Sequence, residues 1–241
     1  MSTWDRMRAV TPSRIGQPRV GETVRIDEVL RFRAAHAAAR DAIHLPLDAE
    51  TLAEQIGALS QDVAGVVESR VTDRAEFLRR PDLGREPRTL VDIPADTGAD
   101  IGIVVADGLS TTAVAAHAAP MIGALKEVFD GRLVIAPVVI ARNARIAIGD
   151  AIGDHLGVTT VLVLVGERPG LSVDDSLGVY LTHRPRPGRR DSDRNCVSNI
   201  HPPGGLEYRA AARILAALVD GARTLGASGV RLKDGSTSLP C

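Results

Sequence analysis

Three apolar runs rich in β-branched residues constrain the fold of this chain more than any other feature of its sequence. They lie within residues 100–110, 132–141 and 159–171, and each leads into polar or turn-forming residues. The segments between them, 111–129 and 144–157, carry apolar residues at helical spacing. Strands that alternate with helices form parallel sheets, because the helices serve as crossovers. We therefore predict an α/β fold built on an open parallel sheet.

The first part of the chain has a different pattern. Residues 1–24 are polar and contain two prolines, so we expect an arm with little regular structure. Residues 25–43 have the periodicity of an amphipathic helix with a thin alanine face, which suits close helix packing. Asp48 is placed to cap a second helix over 49–59.

A loop rich in turn residues at 79–85 ends this helical region. We therefore divide the chain into an N-terminal arm and helical extension, 1–85, and a sheet-containing domain, 86–241. Within the second domain, Pro120 is expected to kink or restart the helix in which it lies. The spacing of apolar residues predicts a last helix over 206–224.

The carboxyl ends of the predicted strands are the expected place for a ligand, because open parallel sheets bind ligands in the crevice beyond these ends. The first run leads into Asp107, Gly108 and Ser110. There the glycine would let a bulky ligand approach, and the serine would donate to that ligand or cap the next helix. The third run leads into Glu167 and Arg168, which lie between two glycines. The simpler interpretation of both segments is turn and capping chemistry.

A dense polar segment near the C-terminus, residues 193–205, is the second candidate for a binding site. It contains Cys196, Asn199 and His201, followed by two prolines and two glycines. We predict an irregular loop shaped for binding. Among the other histidines, His183 is expected beside a solvated basic loop, and the remaining four are expected to be packing or surface residues of alanine-rich helices.

Composition and missing motifs exclude several classes of function. A formal net charge of -1 and an aromatic content of 2% give no reason to expect a nucleic acid partner. No apolar run approaches the roughly 20 residues that span a bilayer, and no secretory signal is visible, so we expect a cytoplasmic protein. Cys196 and the terminal Cys241 form neither a disulfide framework nor a zinc site. Dinucleotide-binding and P-loop glycine motifs are both absent.

Five motifs in register resemble those of the ethanolamine ammonia-lyase small-subunit family. They are the helical segment 29–43, "RPDLGR" at 80–85, "VVADGLST" at 104–111, "LVGERPGL" at 164–171 and "DRNCVSNIHPPGG" at 193–205. Each motif alone is weak. Their common order and spacing over residues 25–230 make the resemblance specific.

The resemblance implies a Rossmann-like domain preceded by a helical extension. It implies a subunit of a hetero-oligomeric, adenosylcobalamin-dependent lyase that converts ethanolamine into acetaldehyde and ammonia by radical chemistry. The corrinoid would lie between this chain and a large barrel-shaped subunit, which would hold the catalytic residues and most of the substrate pocket. The cobalamin contacts of the family fall on Ile146, where relatives also carry Val, on Glu167 and on Cys196. The further candidates for this cofactor site are Asp107, Gly108, Ser110, Arg168, Asn199 and His201.

One absent motif agrees with the resemblance, and one departure qualifies it. The pattern D-x-H-x-x-G, in which a histidine replaces the cofactor's own base on cobalt, is absent. We therefore expect the nucleotide base to stay on cobalt and His201 not to be a metal ligand. Many relatives carry a longer leader associated with packaging in a bacterial microcompartment, whereas residues 1–24 contain no clear amphipathic helix. The cytoplasm is therefore the preferred location, with a microcompartment as the alternative.

Two other functions stay open at this point. A stand-alone α/β hydrolase would use Ser110 and His201 with Asp107, although this serine does not lie in a G-x-S-x-G motif. A regulatory or scaffold domain without catalytic function would need no such set of residues. Turnover by the isolated chain without cobalamin would favour the hydrolase, and a large subunit fully active on its own would favour the scaffold.

Overall fold

The computed structural model describes residues 3–235. Its helices are α1 (Thr3–Arg8), α2 (Ile26–His44), α3 (Ala49–Gly57), α4 (Arg74–Arg79), α5 (Thr111–Phe129), α6 (Ile148–His155) and α7 (Tyr208–Leu225). Its strands are β1 (Arg19–Val20), β2 (Thr23–Val24), β3 (Val63–Glu68), β4 (Ile101–Ala106), β5 (Val138–Arg142), β6 (Thr160–Gly166), β7 (Leu177–His183) and β8 (Arg194–Ile200). Single turns of 3-10 helix cover Leu83–Arg85 and Asp191–Asp193. Cys241 lies outside the described residues.

A six-stranded sheet in the order β3-β5-β4-β6-β7-β8 forms the centre of the molecule. Strands β3, β5, β4 and β6 are parallel, whereas β7 and β8 continue the sheet in antiparallel pairing. The predicted α/β fold is confirmed. The antiparallel hairpin of β7 and β8 extends the parallel part of the sheet on one side. The Rossmann-like character of the domain stays a prediction.

Strand β8 occupies residues for which an irregular loop was predicted. Cys196 and Asn199 therefore lie on strand β8 rather than in a loop, and His201 directly follows that strand. His183 ends β7 and is 3% exposed. The basic loop that follows it, 184–190, is mostly exposed, so the expectation that His183 lies beside a solvated loop is confirmed. Fewer than half of the residues of β8 are buried. The strand therefore lacks the continuous apolar run by which the other strands were recognised.

The edge strand β3 lies inside the segment that was predicted to be a helical extension. It pairs in parallel with β5, so residues 63–68 contribute to the main sheet. Most of its residues are only partly buried, as expected for a strand at the edge of a sheet, and this weakened its signal in the sequence. The domain boundary at residue 85 stays a prediction.

The N-terminal arm contains more regular structure than expected. Helix α1 and the short hairpin of β1 and β2 occupy parts of residues 3–24. Arg14 donates to the carbonyl oxygen of Leu171 at 2.9 Å, and the Ser172 hydroxyl donates to the carbonyl oxygen of Pro12 at 3.3 Å. These bonds place the arm against the turn that follows β6.

Helix α2 begins and ends within one residue of the prediction, but its alanine face is not buried. Ala42 is its one buried residue. The C-terminal end of the helix is tied to α5, because the Thr111 hydroxyl lies 3.1 Å from the carbonyl oxygen of Ala42 and 2.9 Å from that of Leu45.

The helices cover both faces of the sheet. Helices α3, α5 and α7 pack on one face, where Ile103, Leu162 and Leu215 are fully buried. Helix α6 packs on the other face against Val104 and Val163. The chain thus leaves β4 toward one face and β5 toward the other. The carboxyl ends of these two neighbouring strands form the switch point at which open α/β sheets bind ligands.

Helix caps and boundaries follow the sequence closely. The Asp48 carboxylate accepts from the backbone N–H of Thr51 at 3.0 Å, and the Ser110 hydroxyl accepts from that of Ala113 at 3.1 Å. Helix α5 continues through Pro120, so the predicted restart does not occur. Within residues 3–235, no helix combines the length and the apolar character required to cross a membrane.

Candidate functional site

Asp107 ties together the two loops at the switch point. Its Oδ2 accepts from the backbone N–H of Asn143 at 2.7 Å, and its Oδ1 accepts from that of Ala144 at 2.8 Å. Arg74 on α4 places Nη1 3.4 Å from Oδ2. Burial raises the pKa of Asp107, against the opposing effects of the Arg74 charge and the backbone hydrogen bonds. The carboxylate thus holds the loops after β4 and β5 in place and has protein donors on both oxygens.

Gly108 is required by the neighbouring strand. Its φ is +58°, and a Cβ at this position would collide with the carbonyl oxygen of Gly166 and with Cγ2 of Val165. From the sequence, this glycine had two explanations, a tight turn or the approach of a ligand. The close approach of the β4 and β6 ends is the direct reason for it.

The Glu167 carboxylate is held by residues that follow it in the chain. The Ser176 hydroxyl donates to Oε2 at 2.5 Å, and the backbone N–H of Asn199 lies 3.4 Å from the same oxygen. The backbone N–H of Glu167 donates to the carbonyl oxygen of Ser176 at 2.9 Å. A Cβ on Gly178 would lie 2.9 Å from Oε1, so this glycine leaves room for the carboxylate. Strands β7 and β8 therefore orient Glu167.

Ser110 supports the same turn from the opposite side. Its side chain is fully buried, and its hydroxyl donates to the carbonyl oxygen of Asp174 at 2.6 Å while accepting from Ala113. The hydroxyl is thus engaged within the protein. It caps α5 and holds the segment that leads from Glu167 to Ser176.

Four of the predicted site residues share one cavity of about 290 Å³ at the carboxyl edge of the sheet. We call it the Glu167 cavity. Its lining comprises Gly108, Leu109, Arg145, Ile146, Val165, Gly166, Glu167, Arg168 and Tyr180. Ile146 was expected to lie within the helix that follows β5. It lies instead in the turn before that helix, because α6 begins at Ile148.

A second cavity of about 450 Å³ adjoins the first, and we call it the Arg85 cavity. The two cavities share Arg145 and Ile146. The remaining lining residues of the Arg85 cavity are Pro81, Asp82, Arg85, Ala147 and Asp191. The two cavities together form a cleft along the carboxyl edge, on the face covered by α6.

Cys196 is connected to the Glu167 cavity through Tyr180. The two residues pair in register on β8 and β7, and Tyr180 lines the cavity. Cys196 is an exposed residue. Its pKa is nevertheless raised to about 11, because neighbouring groups desolvate the sulfur and Glu167 adds a negative charge nearby. A hydrogen bond with Tyr180 lowers this pKa and opposes the two effects. The side chain is therefore a neutral thiol at neutral pH and not a thiolate nucleophile.

Asn199 and His201 lie beside the cavity without lining it. Asn199 has a positive φ of 62°, and its Oδ1 lies 2.8 Å from Nε2 of His201. His201 is 8% exposed. Its ring lies so close to Gly205 that a Cβ there would collide with it. Asn199 reaches Glu167 through its backbone N–H, and His201 holds the bend after β8.

The residues proposed for a hydrolase do not form a catalytic constellation. The Ser110 hydroxyl donates to Asp174, the His201 ring pairs with Asn199, and Asp107 accepts from backbone N–H groups. A serine nucleophile requires a base within hydrogen-bond reach. Since none of these bonds joins two of the three residues, the geometry does not favour a hydrolase.

Two residues of the cleft, Arg145 and Tyr180, were missed by the sequence analysis. Tyr180 is one of only two tyrosines in the chain, and this rarity could have drawn attention to it. Arg145 had no comparable signal, because it is one of 29 lysines and arginines in the chain and only packing distinguishes it.

The chemistry of the cleft suits a large organic ligand. The Glu167 cavity offers a fixed carboxylate, a tyrosine ring and apolar side chains such as Ile146 and Leu109. The neutral thiol of Cys196 lies behind Tyr180. Within residues 3–235, no group of three or more His, Cys, Asp or Glu side chains is positioned to hold a metal ion.

Comparisons with known proteins point to one family. Residues 1–233 match the family described as "Ethanolamine ammonia-lyase light chain (EutC)". An ethanolamine ammonia-lyase small subunit of Rhodococcus erythropolis is 54% identical over 233 residues, which cover 97% of this chain and 90% of the relative. The small subunit of Rhodopseudomonas palustris (strain BisA53) is 46% identical over 235 residues, which cover 95% of this chain and 89% of the relative.

Proposed function

The chain belongs to the ethanolamine ammonia-lyase light-chain family, and on this premise we propose that it binds adenosylcobalamin in the cleft at the carboxyl edge of its sheet. In the proposed function, it acts together with a large subunit to convert ethanolamine into acetaldehyde and ammonia. The cofactor would supply the radical chemistry, and the protein would bind, orient and enclose it.

The observation that supports this proposal is the convergence of Ile146 and Glu167 on one cavity. They lie 21 positions apart in the sequence, after different strands, yet both line the Glu167 cavity. Cys196, on the far strand of the sheet, is connected to that cavity through Tyr180. These are the three positions at which the family resemblance implied cobalamin contacts.

The side chains of the cleft fit the periphery of a corrinoid. The rim of a corrin ring carries amide groups, whose N–H groups need acceptors such as the Glu167 carboxylate. Ser176 and Asn199 hold that carboxylate at fixed positions, so it would not need to be ordered on binding. Ile146 would supply apolar contact, and the neutral Cys196 would avoid placing a second negative charge beside Glu167.

The size of the cleft supports a binding site completed by a second chain. A cavity of about 290 Å³ accommodates only part of a corrinoid, so a large area of the cofactor would remain uncovered by this chain. The large subunit would cover it and would contribute the catalytic residues and most of the substrate pocket. We assign no catalytic residue to the light chain. A cytoplasmic location, rather than a microcompartment, stays part of the proposal.

Reconstitution with the large subunit tests the proposal. The isolated chain should not convert ethanolamine, and the complex should produce acetaldehyde in an adenosylcobalamin-dependent reaction. Titration of the complex with adenosylcobalamin, followed by its visible spectrum, should give a lower affinity for Glu167→Ala. One charged hydrogen bond is worth about 1.5–3 kcal/mol, which corresponds to roughly tenfold to a hundredfold in affinity.

The controls separate the alternatives. Glu127→Ala removes an exposed carboxylate on α5, far from the cleft, and should leave the affinity unchanged. Turnover by the isolated chain without cobalamin would exclude the proposed function. A large subunit that is equally active without the light chain would assign the light chain a scaffold role instead.

A further inference from the structure

Arg145 is the cationic side chain at the junction of the two cavities. It lies in the turn between β5 and α6 and lines both the Glu167 cavity and the Arg85 cavity. Its guanidinium carbon lies 4.2 Å from the centroid of the Phe77 ring, and its backbone N–H donates to the carbonyl oxygen of Gly84 at 2.7 Å. Both contacts restrict where the side chain can point.

The hydrogen-bonding capacity of Arg145 is largely unused. Its Nη2 lies 3.4 Å from the carbonyl oxygen of Phe77, which is a long hydrogen bond. Its Nε is buried and has no hydrogen-bond partner within the described part of the chain. A guanidinium has five N–H donors. A buried donor without an acceptor is costly, so its persistence points to an acceptor that binds there.

The charges around Arg145 also favour an anion. Arg74, Arg85 and Arg168 all lie close enough to disfavour its positive charge. Arg74 faces Asp107, and Arg85 is paired with Asp191 at 3.1 Å. Within residues 3–235, by contrast, no ion pair joins Arg145 to a carboxylate.

The remaining carboxylates of the Arg85 cavity do not supply this missing partner. Asp82 pairs with Arg80 at 2.7 Å, and Asp191 pairs with Arg85. Burial lowers the pKa of Arg145, the charge of Arg74 adds to this effect, and the charge of Asp107 opposes it. An anion bound in the cleft would raise this pKa again, because it would stabilise the charged guanidinium.

We propose that Arg145 forms a phosphate-binding subsite at the junction of the two cavities. Guanidinium groups bind phosphate oxygens through two parallel N–H···O bonds, which suits a side chain with several free donors. The inference rests on the proposed function in one respect. If the ligand is cobalamin, the phosphate would be the phosphodiester of its nucleotide loop, which is the anionic group on the periphery of the cofactor. The alternative ligand of the same subsite is free phosphate.

This subsite divides the cleft between two parts of the cofactor. The Glu167 cavity would receive the corrin side, with its amides and apolar surface. The Arg85 cavity, on the other side of Arg145, would receive the nucleotide side. The positioning effect of Arg145 would therefore concern the nucleotide loop and not the ring.

Two corrinoids, tested in the complex with the large subunit, distinguish binding of the nucleotide loop from binding of the corrin ring. Adenosylcobinamide keeps the corrin ring but lacks the phosphate and the nucleotide. Arg145→Met should weaken adenosylcobalamin binding about tenfold to a hundredfold and leave adenosylcobinamide binding unchanged. Methionine retains an apolar, flexible contact with Phe77, so the fold should persist. Arg145→Lys, which retains the charge but not the planar fork, should lose less affinity.

The matched control is Arg132→Met, which removes an exposed arginine paired with Asp220. It should change neither affinity. Equal weakening of both corrinoids by Arg145→Met would assign the residue to the ring and would overturn the phosphate subsite. Unchanged binding of adenosylcobalamin to both Arg145 variants would overturn it as well.

Inorganic phosphate provides the test that does not depend on cobalamin. If the wild-type complex binds neither corrinoid, the proposed function fails. A titration of the full chain with inorganic phosphate then decides whether Arg145 forms a phosphate-binding subsite. The Nε–H signal of Arg145 in ¹⁵N NMR is assigned by its loss in Arg145→Lys, and a saturable shift of this signal in the wild-type chain would support a site for free phosphate. No shift would then overturn the inference.

Discussion

The Arg194 guanidinium and the Asp150 carboxylate form a bidentate ion pair in the protein interior. The distances are 2.6 Å from Nη1 to Oδ1 and 2.7 Å from Nη2 to Oδ2, and both side chains are at most 3% exposed. Burial alone would lower the pKa of Arg194, but the hydrogen bonds and charge of Asp150 raise it. Asp150 lies on α6 and Arg194 begins β8, so the pair fastens the antiparallel hairpin to the parallel part of the fold.

Arg194→Met should lower the free energy of unfolding by about 3–5 kcal/mol, because it leaves Asp150 buried without its partner. Chemical denaturation followed by circular dichroism measures this loss. The double variant Arg194→Met/Asp150→Leu removes both charges and should recover most of the stability. A loss below about 1 kcal/mol in the single variant would contradict the importance of the pair.

Gly178→Ala should displace Glu167 with little loss of stability. The added Cβ would lie 2.9 Å from Oε1, and the end of a glutamate side chain can move away at low cost. We expect weaker adenosylcobalamin binding in the complex, measured by spectral titration, and an almost unchanged midpoint of thermal unfolding. Gly57→Ala is the matched control, because nothing lies within 4 Å of its added Cβ. Equal effects of the two substitutions on cofactor affinity would contradict the role of Gly178.

Cys196 should be alkylated slowly at neutral pH. In a Cys241→Ser background, the rate of reaction with iodoacetamide should rise with pH toward an apparent pKa of about 11. Glu167→Gln removes a negative charge that raises this pKa, so the rate profile should move to lower pH. A profile centred near the ordinary cysteine value in the Cys241→Ser chain would show that the sulfur is not desolvated. A profile insensitive to Glu167→Gln would show that the two side chains are not neighbours.

His183 should make the fold less stable in acid. Its pKa is lowered because the ring is buried and because Arg184, Arg223 and Arg189 add positive charge nearby. The unfolded chain therefore binds a proton below about pH 6.5 that the folded chain resists. The free energy of unfolding should fall as the pH drops through this value toward the lower folded pKa.

His183→Gln should reduce that dependence, and urea unfolding at pH 7.5 and pH 5 compares the two chains. His36→Gln, on the exposed part of α2, is the control. If both substitutions change the pH dependence equally, the burial of His183 does not cause the loss of stability in acid.

Sequence patterns predicted the central strands and helices because burial on both sides leaves a strong local signal. Strands β4, β5 and β6 are nearly continuous apolar runs, and α5 and α7 have clear helical periodicity. Strands β3 and β8 were missed for the opposite reason. They carry polar or half-buried residues whose position in the sheet depends on partners far away in the chain.

The candidate site shows the same division between local and distant information. The placement of Glu167 at a strand end followed from the apolar run before it. Its fixed orientation did not, because Ser176 and Asn199 reach it only through the hairpin of β7 and β8.

The sequence by itself determined the α/β class, the order of the central elements, and the strand ends at which a ligand would bind. These properties follow from the periodicity of apolar residues and from turn chemistry, both of which act locally. Tertiary structure alone decided that Arg145 lies between two cavities and has no carboxylate partner among residues 3–235, and that Arg194 reaches Asp150. The pairing of Arg194 with Asp150 depends on the packing of elements more than 40 residues apart. The state of Arg145 depends on the burial of a single donor atom, its Nε. No local pattern encodes either one.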